Sequence, residues 1–151
     1  MKLDAKFDKK VDFGSGYNPE PGYLTCDPFN PMSDIACSAA DYKMDAKPET
    51  IDVIRCRNVL HHIPDLDRLF DEFGRVLKSE AELIVIEPHP AAFKVNTLLD
   101  HLWYRFVNFR PEIWITPEYR DYTAIAEKHG FRLVRTVQQD EKETNTYRRI
   151  A

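Results

Sequence analysis

Apolar positions fall in short runs bounded by turn residues. Residues 11–13 form one run that stops at Gly14, and residues 23–26 form another that stops at Asp27. Both have strand length. Residues 51–56 (IDVIRC) predict a third strand. Residues 82–88 (ELIVIEP) predict a fourth, whose unbroken Leu83 to Ile86 core suits a strand covered on both faces. Between these two, Leu66, Leu69, Phe70, Phe73, Val76 and Leu77 recur at helical spacing, with Asp65 placed to cap and Lys78 at the end. Strand, helix, strand reads as a right-handed parallel crossover. Further on, Val95, Leu98, Leu99, Leu102 and Phe106 repeat at helical spacing in an aromatic-rich segment. A helix is then predicted from a Thr116 cap and Pro117 to Gly130, about three turns long. Residues 132–138 and 144–150 predict an antiparallel hairpin joined by the polar QDEKE loop. The sum is an α/β chain, a Rossmann-like open and mostly parallel sheet with a C-terminal antiparallel hairpin strand, layered α/β/α.

At 151 residues and 43% hydrophobic content, the chain is expected to form one domain spanning 1–151. Lys and Arg total 21 against 25 Asp and Glu, a net charge of −4, which argues against a nucleic-acid partner or an anionic membrane. No signal-peptide core and no bilayer-length apolar run stands in the chain, so a cytoplasmic location is expected. Cys26, Cys37 and Cys56 lack metal-ligand spacing and read as buried thiols.

In open α/β sheets ligands bind at the carboxyl ends of strands, and the turn after the first strand is the usual place. Gly14 and Gly16 occupy that turn. A dinucleotide fingerprint would need a third glycine where Pro19 stands and a full helix to hold the pyrophosphate. Pro19 and Pro21 leave no room for one before Asp27. A nicotinamide-dependent oxidoreductase is therefore disfavoured. A ligand with a ribose but no phosphate loses little, and Asp27 is placed to accept two ribose hydroxyls.

These residues carry a resemblance. VDFGSG, the acid Asp27, ADYKMDAKPETIDVI, RNVLHHIPDLDRLFDEFGRVLK, ELIVIEP and ITPEYRDYTAIAEKHGFRLV together resemble the class I S-adenosylmethionine-dependent methyltransferases, of the small group whose first helix is reduced to a loop. The similarity runs from Val11 to about Val134. It implies S-adenosylmethionine as methyl donor, with S-adenosylhomocysteine as product. It implies donor contacts at the turn residues Gly14, Ser15 and Gly16, and at Asp27 with Pro28. Asp41 would take the adenine amino group and the backbone of Tyr42 the ring nitrogen. Asn58 and Val59 would offer backbone carbonyls to the donor's amino group, and Asp12 a carboxylate to the same group, unless Asp12 caps a turn or pairs with Lys9 or Lys10. Asp41 reads equally as a turn former. Where the family usually has a Pro-Gly-Gly turn, this chain has Ser79-Glu80-Ala81, so the turn before the next strand must be built differently.

Methyl transfer from a sulfonium chiefly requires positioning and exclusion of water. A general base helps where the acceptor is a hydroxyl or a protonated amine. His62 is the catalytic candidate, with a structural role as its alternative. His61 reads as a cap or a backbone hydrogen-bonding group. A small-molecule acceptor is expected, with a catalytically inactive binding or regulatory module as the alternative. The aromatic segment 93–114 would line an acceptor pocket or form the face of a homodimer.

Overall fold

The structure is a computed structural model that describes residues 9–16, 18–88, 121–140 and 142–150. Its six strands are β1 (Lys10–Phe13), β2 (Leu24–Cys26), β3 (Ile51–Arg57), β4 (Leu77–Pro88), β5 (Phe131–Gln139) and β6 (Lys142–Arg149). They form one sheet in the order β2-β1-β3-β4-β6-β5. β1 pairs in parallel with β2 and β3, and β3 with β4. β6 is antiparallel to both of its neighbours, so β5 runs with the first four strands. Going from β1 the chain moves outward to β2 and then returns to β3 on the other side of β1. That reversal is the switch point at which such sheets open a crevice.

Two helices are described, α1 (Leu66–Val76) and α2 (Tyr122–Lys128), with a single 3-10 turn at Leu60–His62. α1 begins where the Asp65 carboxylate accepts the Arg68 N–H, a side-chain cap for an otherwise unpaired donor. It buries Leu66, Leu69, Phe70, Phe73 and Val76. Phe73 meets Phe13 of β1 edge-on, with ring centroids 5.2 Å apart. Phe70 meets Phe131 of β5 in the same way at 6.0 Å. The sheet face beneath is set by register: Val11, Ile54, Leu83 and Tyr147 stand in one row, and Phe13, Cys56, Val85 and Asn145 in the next. α2 covers the same face. Thr123 and Tyr147 share a hydroxyl hydrogen bond of 2.8 Å, and His129 at the end of α2 lies 2.7 Å from both Asp67 and Asp71 of α1.

Burial in β4 alternates, with Leu83, Val85 and Glu87 buried and Ile84 and Ile86 only partly so. One face of this strand is thus closed by the described helices. The aromatic helix expected around Val95 to Phe106 lies outside the described residues, as do Thr116 and Pro117. The helix expected from Thr116 is described from Tyr122. Its cap is Asp121, whose carboxylate accepts the Ala124 N–H at 3.0 Å, and it ends as expected before Gly130, at φ +84°.

Three further details shape the turns and edges of the sheet. β4 begins directly after α1, and Ser79-Glu80-Ala81 form a bulge inside it, with Glu80 at φ +64° in place of a glycine turn. The C-terminal hairpin is tighter than a five-residue loop allows, because the ladder runs as far as the Gln139–Lys142 pair. No strand stands between residues 36 and 50, where only Cys37 and Met44 form an isolated bridge. There, side chains of α1 take the backbone groups a strand would have used. Glu72 accepts the Met44 N–H at 2.8 Å, and Arg75 donates to the carbonyls of Met44 and Ala46.

Candidate active site

The carboxyl ends of β1, β2 and β3 meet at the switch point. Gly14 leaves β1 at φ +71°, and its N–H donates to the Cys26 carbonyl at 2.8 Å, which ties the turn to the end of β2. A side chain at Gly14 has nowhere to go: a Cβ there would lie 2.3 Å from Cγ2 of Val59. The turn and the tip of β3 are therefore in direct contact, and only glycine fits both the angle and the space. Gly16, at φ +54°, is the opposite case, since its Cβ position faces open space. No helix follows this turn among the described residues up to β2.

Asp27 is 8% exposed and oriented from both sides. Its Oδ2 accepts the Gly16 N–H at 3.0 Å and its Oδ1 the Phe29 N–H at 2.9 Å, while its own N–H donates to Ser33 Oγ. Two carboxylate oxygens offer about four acceptor positions, so the two occupied ones leave capacity for a pair of hydroxyls. Pro28 sits in the turn that Asp27 closes, with the Asn30 N–H donating back to the Asp27 carbonyl.

Asp12 points to the opposite side of β1 from Phe13. Its Oδ2 accepts the Glu20 N–H at 2.8 Å, and Arg55 stands 3.9 Å from Oδ1. Its partners are therefore neither Lys9 nor Lys10. Burial holds its carboxyl above the usual range, against the lowering effect of the Glu20 N–H and Arg55. Asp41 is exposed and closes a turn by accepting the Lys43 N–H at 3.1 Å, a bond that together with Ser38 holds it below the usual carboxylate range. Tyr42 is buried at φ +61°, and its N–H already donates to the Ser38 carbonyl at 2.8 Å. Adenine recognition through that N–H requires this bond to open. Asp41 thus stands in a loop, as its turn-forming reading expects.

At the tip of β3, Asn58 adopts φ +53° and its N–H donates to the Ile86 carbonyl at 2.8 Å. The Val59 carbonyl accepts the His62 N–H at 2.9 Å inside the 3-10 turn. The organising residue is Glu87, at the end of β4, which composition and spacing had not singled out. It is 3% exposed, its Oε1 accepts the N–H groups of Val59 and Leu60 at 3.0 and 2.7 Å, and its Oε2 lies 2.7 Å from Nδ1 of His61. One buried carboxylate thus fixes the turn and orients a histidine. The signal in the sequence was a lone Glu closing an apolar strand one register step past Ile86. The His62 ring lies against that of His61, with centroids 4.0 Å apart and planes tilted by 43°. Beside Glu87 a cleft opens, lined by Val85, Glu87, Pro88, Tyr122, Thr123, Glu143 and Asn145.

The turn fits a nucleoside-type donor. Among the described residues Ser15 Oγ and Asn58 Oδ1 are buried without a hydrogen-bond partner, Gly16 opens onto free space, and Asp27 has acceptor capacity to spare. Ser15, Gly16, Asp27 and Asn58 would hold such a ligand, whose reactive group would be a methyl on sulfonium.

This sheet order, with a glycine turn after β1 and an acid at the end of β2, defines the class I S-adenosylmethionine-dependent methyltransferase fold. Residues 10–136 match the family model described as a methyltransferase domain, and the chain belongs to that family. It is an S-adenosylmethionine-dependent methyltransferase. Solved structures agree on the fold. The methyltransferase bound to the Haloferax volcanii Trm112 methyltransferase activator superposes with a TM-score of 0.68 at 11% identity, over 95% of this chain and 82% of that one. An S-adenosylmethionine-dependent methyltransferase from Mesorhizobium loti gives 0.63 at 13%, over 93% and 90%. A Thermotoga maritima enzyme described as a possible histamine N-methyltransferase gives 0.63 at 14%, over 95% and 83%. No curated protein sequence matches the chain significantly. Among the described residues no helix is long and apolar enough to cross a membrane.

Proposed function

We propose that the protein methylates a small molecule at an atom that gives up a proton, an amine or a hydroxyl, with the His61–Glu87 pair as its base and His62 beside it. S-adenosylmethionine supplies the activated methyl group and leaves as a neutral thioether. The chain's own residues then have three tasks: hold the donor at the glycine turn, seat the acceptor at the tip of β3, and take its proton. The observation that carries the proposal is the 2.7 Å approach of Glu87 Oε2 to His61 Nδ1. A carboxylate there orients the ring and keeps the proton on Nδ1. The net charge of −4 favours a small ligand over a nucleic acid. The acceptor named for the Thermotoga protein is a small amine, which points the same way.

The test is release of S-adenosylhomocysteine with a panel of small amines and hydroxyl compounds, on the wild type, His61→Gln and His62→Gln. Turnover that His61→Gln abolishes supports the assignment. Loss confined to His62→Gln moves the base to His62. Donor binding without turnover on any acceptor favours the inactive-module alternative. A homodimer through segment 93–114 is likewise a proposal, from sequence, since that segment lies outside the described residues. Sedimentation at a concentration-independent 17.7 kDa refutes it.

A further inference from the structure

Among the described residues no helix follows the glycine turn to anchor it to the sheet, so something else must hold residues 14–16 and 18–22 in place. The described contacts show what does. Arg55, in the interior of β3 and 14% exposed at its side chain, lies 3.9 Å from Asp12 and 3.4 Å from Glu20. Glu20 is bound a second time through its N–H to Asp12 Oδ2 at 2.8 Å. Two residues further along β3, Arg57 donates to the Asn18 carbonyl at 3.3 Å. Arg55 stands opposite Asp12 in the β1–β3 register. The stretch 18–20 is therefore pinned from below by side chains of two adjacent strands, one turn away from Gly16 and its bond to Asp27.

We infer that Arg55, Asp12 and Glu20 form a charged clasp that holds the shortened glycine loop in its donor-binding shape, in place of the missing helix, and that Arg55 is a positioning residue for S-adenosylmethionine. The inference rests on the assignment of Gly14 to Asp27 as the donor turn. Its physical basis is preorganisation. Ordering a loop costs backbone conformational entropy, residue by residue. If the free protein holds the loop only part of the time, apparent affinity falls by that fraction. Arg55 acts on the donor through the loop and not by touching it. The ionic part of the clasp is partly exposed at Glu20, so donor binding in this protein depends on ionic strength.

The experiment is calorimetric titration with S-adenosylhomocysteine on the wild type, Arg55→Met, Arg55→Lys, Glu20→Gln and the Arg55→Met/Glu20→Gln double variant, with Asp27→Ala alongside and thermal melts on all. Each neutral single variant is expected to weaken binding about three- to tenfold, and the double variant no more than the weaker single, since both break one unit. Arg55→Lys is expected to recover most of the loss. Affinity of the wild type should fall between low and high salt, and that of Glu20→Gln should not. Binding within twofold of wild type in the folded variants, or losses that multiply in the double, overturns the clasp. If Arg55→Met fails to fold, Glu20→Gln and its salt response decide alone, because Glu20 is 40% exposed at its side chain. Unchanged binding in Asp27→Ala overturns the donor-turn assignment itself, separately from the clasp.

Discussion

Gly14→Ala tests the contact on which the site is built. Two costs add. At φ +71° an alanine sits in the left-handed region, at about 1–2 kcal/mol. The new Cβ also lies 2.3 Å from Cγ2, 2.7 Å from Cβ and 3.1 Å from Cγ1 of Val59. A branched valine has no flexible end to swing away, so backbone must move, which in packed interiors costs about 1–3 kcal/mol. The sum is about 2–5 kcal/mol, read as a fall in the urea midpoint at constant slope. Gly16→Ala is the internal control. It carries only the angular cost, about 1–2 kcal/mol, because nothing lies within 4 Å of its Cβ position. Both variants should lose S-adenosylhomocysteine binding, Gly14→Ala by displacing the turn from the tip of β3 and Gly16→Ala by filling donor space. Adding Val59→Ala to Gly14→Ala should recover part of the stability, since the two Cγ contacts vanish and the Cβ contact stays. Equal destabilisation by Gly14→Ala and Gly16→Ala would refute the reasoning.

Glu87→Leu removes the carboxylate that accepts the Val59 and Leu60 N–H groups, at about 1–3 kcal/mol for the buried Val59 N–H. Glu87→Gln keeps an acceptor for them but turns an amide N–H toward His61, so nitrogen NMR should show the His61 tautomer inverted with stability nearly kept; an unchanged tautomer contradicts the pairing. Asp67 is held below the usual carboxylate range by His129 and then Lys128. The folded state therefore binds fewer protons than the unfolded one in acid, and the associated stability is present above about pH 4 and lost as pH falls further. Asp67→Asn should flatten that acid limb in pH-dependent melts, and an unaltered limb would remove Asp67 from the account. Glu80→Gly should stabilise the β4 bulge by about 1 kcal/mol, because Glu80 stands at φ +64°; a loss of stability would mean that the Glu80 side chain matters more than its backbone.

The parallel half of the fold was legible because its signals are local. Apolar runs ended on Gly14 and Asp27, and Leu66 to Val76 carried an unmistakable helical stripe. What escaped was set by contacts distant in sequence. The path of residues 36–50 is set by Glu72 and Arg75 of α1, which bond the backbone of Met44 and Ala46. The cap of α2 is a local case: Thr116-Pro117 is the stronger cap signal in the sequence, whereas Asp121 is the residue that accepts the Ala124 N–H. In the site, Asp27 and the two glycines could be placed from spacing, because each ends a strand or sits in its turn. Glu87 could not, since its worth lies in reaching Val59, Leu60 and His61, 26 to 28 residues earlier. Arg55 and Glu20 were likewise silent as letters in a chain, and acquire meaning from the register that sets Arg55 opposite Asp12.

The measurement that bears most directly on the central claim is calorimetric titration of the wild type and of Asp27→Ala with S-adenosylhomocysteine, each shown to be folded by circular dichroism. The account predicts saturable binding at one site in the wild type and its loss in Asp27→Ala, whose oriented carboxylate is gone. A folded wild type that takes up no ligand, or an Asp27→Ala protein that binds as well as the wild type, would contradict the placement of the donor at the turn between β1 and β2.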